Sequence, residues 1–173
     1  MVDSNSKVVT GINFLGEVSL NTGLQFENTE VGGISGLAYD PANGVYYGLS
    51  DDRSENAPAR FYSIHIDLSD GSLDDGDVGF TGVTTLRNAS GEAFPERAID
   101  PEGIALTSTG TLFISSEGDA NNLLNPFVNE FSLAGQEFNQ LTVPDKFLPT
   151  SDATKGILDT PRPGRTGILA SMR

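Results

Sequence analysis

Five carboxylates stand where short strand-like runs begin or end. Asp51 and Asp52 follow Val45–Leu49, Asp100 and Glu102 precede Gly103–Leu106, and Glu117 follows Thr111–Ser115. Hard oxygen donors are what calcium takes, about six to eight at a time, from carboxylates, carbonyls and water. Glu102 and Glu117 are expected as metal ligands across one structural unit, joined by Asp51 or Asp52 from its neighbour. A cation held there would offset the acidic repulsion, polarise a phosphoryl or acyl oxygen and activate water. Arg53 and Arg60 are candidates for holding an anionic substrate, because a guanidinium grips phosphate bidentately. The same residues have plainer uses. Acids at strand ends cap turns or pair with cations, Asp51-Asp52-Arg53 can order a loop, and Arg60 can pair locally at a sheet edge.

Other chemistries find less support. His65 is the single histidine, and strand alternation sets it on the polar face with Ser63 and Asp67. No Gly-x-Ser-x-Gly elbow occurs, so a serine triad is not expected. The chain has no cysteine, which removes disulfides, thiolate zinc sites and a cysteine nucleophile. Asn88-Ala89-Ser90 matches a glycosylation sequon, a pattern too short to carry weight alone. Asp67 to Asp77 is rich in acids and glycines but lacks EF-hand spacing, and is read as a solvated hairpin turn. The net charge of −14 opposes nucleic acid and anionic lipid as partners and makes divalent cations natural companions. No run of apolar residues is long enough to span a bilayer as a helix, and the N-terminus shows no basic start followed by an apolar stretch.

The elements that must position these groups are strands. Glycine is plentiful, and short apolar runs recur between turn clusters such as Asp40-Pro41-Ala42-Asn43-Gly44 and Ser108-Thr109-Gly110. The period within Phe61–Leu68 is two: Tyr62, Ile64, Ile66 and Leu68 share one face, Phe61, Ser63, His65 and Asp67 the other. Further strands are expected at Ile34–Tyr39, Val45–Leu49, Val78–Leu86, Gly103–Leu106, Thr111–Ser115, Phe127–Leu133 and Phe138–Val143, and two β-rich pieces within Val8–Leu20. There is also an internal repeat. Gly33-Ile34-Ser35-Gly36-Leu37-Ala38 leads through a turn to Tyr46-Tyr47-Gly48-Leu49-Ser50-Asp51; about seventy residues later Pro101-Glu102-Gly103-Ile104-Ala105-Leu106 leads to Leu112-Phe113-Ile114-Ser115-Ser116-Glu117. Each unit starts on a strand of small residues, continues on an aromatic-bearing one and goes on to a third and a fourth. Four antiparallel strands with small residues on the first describe a propeller blade, whose innermost strand crowds the axis. The expected fold is all-β: a partial β-propeller of about two four-stranded blades plus an N-terminal strand. Two blades close no ring. Residues 1–156 are taken as the partial propeller, and 157–173, with three arginines and two prolines, as a divergent basic tail.

The chain resembles the N-terminal part of the family called esterase-like activity of phytase. The resemblance is carried by Val31-Gly32-Gly33-Ile34-Ser35-Gly36-Leu37-Ala38-Tyr39-Asp40, Gly48-Leu49-Ser50-Asp51-Asp52-Arg53, Arg60-Phe61-Tyr62, Asp100-Pro101-Glu102-Gly103-Ile104-Ala105 and Ile114-Ser115-Ser116-Glu117-Gly118. It runs from about Gly11 to Gly156, and residues after Gly156 fit poorly. It implies a bacterial protein, exported or periplasmic, with phosphatase- or esterase-like activity. A fainter similarity to calcium-dependent β-propeller phytases rests on Glu102-Gly103 and Ser115-Ser116, and implies that Glu102 faces the channel mouth to ligate calcium or orient a water. The lysines and arginines that grip phosphate in those enzymes are not identifiable here. The function expected is therefore a fragment of a metal-assisted phosphoric- or carboxylic-ester hydrolase acting on a small molecule. The alternatives are a non-catalytic binding module with structural calcium, and an inactive truncated product whose exposed strand edges pair with missing blades or with other copies.

Overall fold

A computed structural model describes residues 10–150. Ten strands follow in chain order: β1 (Gln25–Phe26), β2 (Thr29–Glu30), β3 (Ile34–Asp40), β4 (Val45–Ser50), β5 (Arg60–Ile66), β6 (Val78–Thr85), β7 (Pro101–Leu106), β8 (Leu112–Ser116), β9 (Phe127–Phe131) and β10 (Glu137–Gln140). The single helical element among the described residues is a 3₁₀ turn at Asp145–Phe147. The fold is all-β. Two four-stranded antiparallel sheets, β3-β4-β5-β6 and β7-β8-β9-β10, each run in sequence order, and β1 with β2 makes a small hairpin. Both repeat units are thus four-stranded sheets, as the sequence pattern implied.

The turns form for local reasons. In Asp40–Gly44 the Asp40 carboxylate accepts from the backbone N–H groups of Ala42 and Asn43 and from Asn43 Nδ2, and the Gly44 N–H closes the turn onto the Asp40 carbonyl. These donors, Asn43 Nδ2 foremost, hold Asp40 below the usual carboxylate value.

The core lies between the sheets. Tyr47, Leu49 and Phe61 from the first meet Leu112, Ile114 and Phe131 from the second, with Leu86 and Ile99 from the connection between them. A second cluster covers the opposite face of the first sheet. Tyr62 and Ile64, with Ile66 beside them, pack under Phe26 and Leu24 of the N-terminal segment. The alternation read in β5 therefore holds, and His65 on the other phase is exposed. Phe61 departs from the half-buried pattern because its face meets the second sheet rather than water.

The two first strands, β3 and β7, lie against each other. An added Cβ at Gly36 would meet Ile104 Cγ2 at 3.0 Å and the Ile104 nitrogen at 3.1 Å, which gives the small residues of β3 their steric reason. Gly135, in the β9–β10 turn, is held at φ +81° and a Cβ there would run into the Thr85 carbonyl, while its own carbonyl accepts from Arg87 N–H at 2.8 Å. Gly135→Ala is expected to cost at least about 1–2 kcal/mol from the left-handed backbone alone, read as a lowered denaturation midpoint; an unchanged midpoint would mean the turn shifts freely.

The N-terminal segment differs from expectation. The strand expected within Val8–Leu20 is reduced, among the described residues, to a single parallel bridge from Gly16 to Leu73, and Ile12 and Phe14 are 93% and 83% exposed. A β-rich composition makes a strand only where another strand supplies hydrogen bonds. The expected basic tail, 157–173, lies outside the described residues.

Candidate functional site

The site is built on a feature that the two units share. Both first strands carry a register irregularity one residue in, between Ile34 and Gly36 in β3 and between Pro101 and Gly103 in β7. The extra residue is Ser35 in one and Glu102 in the other. A bulge re-aims the side chain that it inserts. Beside each bulge the second strand ends on a serine and then an acid. Asp51 N–H donates to the Gly33 carbonyl at 2.7 Å, and Glu117 N–H donates to the Asp100 carbonyl at 3.0 Å. Asp51 and Glu117 are therefore equivalent, and each is tied back across its own hairpin.

In the second unit these positions bring three carboxylates together. Asp100, Glu102 and Glu117 each offer an oxygen within 4.8 Å of the others, and all three are half-buried. Burial pushes Asp100 above its ordinary value, Arg53 opposes that, and Glu117 and Asp51 reinforce it by repulsion. Burial likewise raises Glu102, followed by repulsion from Glu117, Asp100 and Asp51. The group is a set of negative oxygens crowded faster than local cations neutralise them. Such a set can hold a metal ion.

The expected ligands divide. Glu102 and Glu117 come together, and their third companion is Asp100 rather than Asp51 or Asp52. Asp51 stays close enough to act on Asp100 and Glu102 through its charge. Asp52 turns the other way. Its carboxylate accepts from Arg60 Nη1 at 2.9 Å and from the backbone N–H groups of Glu55, Asn56 and Ala57. Burial alone would raise Asp52, but those donors outweigh it and hold it below the ordinary 3.8.

The two arginines separate in the same way. Arg60 is buried at 2% exposure, with Nε donating to Tyr62 Oη and Nη2 donating to the Glu30 carbonyl at 2.7 Å. Its guanidinium is engaged with protein groups on every nitrogen. Arg53 lies at the acidic group itself. Its Nη2 donates to Asp119 Oδ2 at 3.3 Å, and its Nε stands 3.8 Å from Asp100 Oδ2 with no hydrogen-bond partner. Both arginines, Asp51, Asp52, Asp100 and Glu102 line one cleft of about 420 Å³.

Asp119 was not anticipated from sequence. It holds Asn121 and Asn122 in a turn and reaches Arg53 across 66 positions of sequence, a contact that no local pattern announces. The Asp67–Asp77 loop behaves as the solvated turn expected of it. Its acids accept from Ser69 and Ser72 and from the Asp74 N–H, and among the described residues they form no candidate metal group.

Comparison with curated proteins and with solved structures found no match. A family model, phytase-like, described as esterase-like activity of phytase, matches residues 29–166. The match begins later than Gly11 and continues past Gly156, into the stretch expected to diverge. It covers both sheets and every residue of the acidic group. Since the match takes in well over half of the 173 residues, the chain belongs to the phytase-like family, esterase-like activity of phytase.

Proposed function

We propose that the chain carries the site of a metal-assisted hydrolase of phosphoric or related esters, centred on Asp100, Glu102 and Glu117, with calcium as the ion. The observation that carries the reading is the convergence of these three carboxylates at a bulge and a strand end, two of them pushed above their ordinary values. All donors are hard oxygens, which suits calcium and not a soft metal. A bound divalent cation supplies Lewis-acid polarisation of an ester oxygen and lowers the pKa of water. The chain's own residues do the rest. Glu102, on the bulge and lining the cleft, is placed to orient a water and accept its proton. Arg53, on the cleft wall, is placed to hold the anionic part of an ester, whereas Arg60 serves the scaffold. The protein acts in this reading outside the cytoplasm, where calcium suffices for a site of modest affinity, about 10⁻⁴–10⁻³ M. The outer strands β6 and β10 end their sheets and offer edges for further strands or other copies.

The decisive experiment is a calorimetric titration of calcium into the wild type and Glu102→Gln near neutral pH. The wild type is expected to bind and the variant to lose at least about tenfold in affinity; a wild type that shows no binding sinks the reading. Hydrolysis of a chromogenic phosphate and a chromogenic acetate, with and without chelator, then separates the enzyme from a binding module with structural calcium. Loss of turnover on chelation supports the enzyme.

The pH dependence has a definite sign. Asp100 and Glu102 are raised, so the folded state binds protons more tightly than the unfolded chain, and stability without metal falls as pH climbs above 3.8 and 4.5. Calcium competes with those protons, so its apparent affinity is expected to weaken as pH is lowered towards that range. By the same logic Glu102→Gln removes a repelling charge and should melt no lower than wild type without metal. With calcium at a hundredfold excess over its own Kd the wild type should gain about 2.7 kcal/mol, and Glu102→Gln clearly less. Melting curves with and without calcium read both effects.

A further inference from the structure

A second cavity, of about 520 Å³, shares no lining residue with the acidic cleft. It lies between the connection that follows β6, the turn that precedes β9, and strands β9 and β10. That volume is in the range of small-molecule sites. One wall is aromatic: Phe94 and Phe127 stack with ring centres 6.2 Å apart and planes 20° from parallel. The other wall is polar and buried. Glu137 and Asn129 are each 4% exposed, and Gln140 completes the group.

The hydrogen bonds of this wall are lopsided. Asn129 Nδ2 donates to Glu137 Oε1 at 3.0 Å, and Gln140 Nε2 donates to the same oxygen at 2.5 Å. Glu137 Oε2 receives neither and is not among the sealed atoms that lack a partner, and Glu137 lines the cavity. Among the described residues no lysine, arginine or histidine forms an ion pair with Glu137. A buried carboxylate of this kind is best satisfied by a positive charge or further donors. Asn129 and Gln140 each give one amide N–H to Glu137, and the carboxamide oxygen that each also carries is an acceptor. What this wall lacks, among the described residues, is a cation to pair with the Glu137 carboxylate.

We propose that this cavity binds a small organic cation, a primary ammonium group carried on an apolar body. The ammonium would meet Glu137 Oε2, and the apolar body would pack on Phe94 and Phe127, whose ring faces also attract positive charge. The net charge of −14 draws cations towards the surface and disfavours an anion in the same place.

The test uses the whole chain, isotope-labelled, with benzylammonium chloride as probe and benzyl alcohol and glucose as neutral comparisons. Benzylammonium is expected to shift the side-chain amide signals of Asn129 and Gln140 and the ring signals of Phe127, at concentrations at least about tenfold below those benzyl alcohol needs. Glu137→Gln is expected to erase that preference while Phe127 still responds weakly to both. Equal response to benzyl alcohol overturns the proposal, as does no response to benzylammonium, binding of glucose alone, or a preference that survives Glu137→Gln. Because the comparison of probes is made on the wild type, it decides the matter even where the variant folds poorly.

Discussion

Asp52→Ala is expected to lower the stability of the folded chain by about 3–5 kcal/mol, one of the two largest losses foreseen for a single side chain. Asp52 and Arg60 form an ion pair at 2.9 Å with side chains only 6% and 3% exposed. Removing the carboxylate leaves a buried guanidinium without its counter-charge, and three backbone N–H groups of the Glu55–Ala57 turn without an acceptor. Arg60 in turn fastens the hairpin of β1 and β2, because it donates to the Glu30 carbonyl, which also accepts from Tyr62 Oη at 2.9 Å. Loss of order should therefore spread from the Asp52 turn to the cover over Tyr62 and Ile64. Asp52→Asn keeps an acceptor oxygen for the turn and is expected to lose less. The effect also has a pH signature. Asp52 is held below 3.8 in the folded state, so its contribution is complete above that value and is lost as pH falls through the lowered one. The gap between wild type and Asp52→Ala should be full at neutral pH and close in strong acid. Urea denaturation across that range measures it, and a gap below about 1 kcal/mol at neutral pH would show the pair to behave like a surface one.

Phe131→Ala is the second large loss, about 3–5 kcal/mol. Phe131 is fully buried among Leu112, Ile114 and Leu49, with Phe94 6.4 Å away centre to centre. Its ring joins the two sheets, so the cavity left behind would sit where they meet and could not collapse without moving one against the other. Phe138 offers the control. It lies on the neighbouring strand but is 54% exposed, and Phe138→Ala is expected to change stability by no more than about 0.5 kcal/mol. Two phenylalanines of one hairpin, tested in parallel denaturation curves, thus report which face of the second sheet is core. Comparable losses at both positions would mean that something covers Phe138 in solution.

Much of the candidate site could be read from local pattern. Glu102 and Glu117 face each other across the β7–β8 hairpin, and antiparallel pairing over a short turn makes such neighbours legible from spacing. The repeat carried further information than its small residues alone. Aligning Ser35 with Glu102 and Asp51 with Glu117 marks the position where one unit has a hydroxyl and the other an acid, and that position is the bulge. The irregularity itself has no signature in hydrophobic alternation, so the aim of Glu102 was not legible.

Other assignments needed the folded chain. Asp51 and Asp52 are adjacent and alike in sequence, yet one faces the acidic group and the other faces Arg60. The choice follows from the backbone turning after the Asp51–Gly33 hydrogen bond, and from a guanidinium brought in by the next strand. Arg53 and Arg60 are distinguished in the same manner, the first by Asp100 and Asp119, both distant in sequence. A charged side chain takes its role from partners, and partners at long sequence separation are supplied only by packing.

By itself, then, the sequence determined the strands of the two repeated sheets, the turns that separate them and the family, because alternation, turn residues and repeat spacing are local and hydrophobic in origin; the β1–β2 hairpin was not legible in it. Tertiary structure decided which acids cluster, which arginine is buried, and whether the apolar residues around Ile12 and Phe14 find a partner. Those outcomes depend on burial and on electrostatic contact between segments far apart in the chain, and both quantities come into being only when the sheets pack.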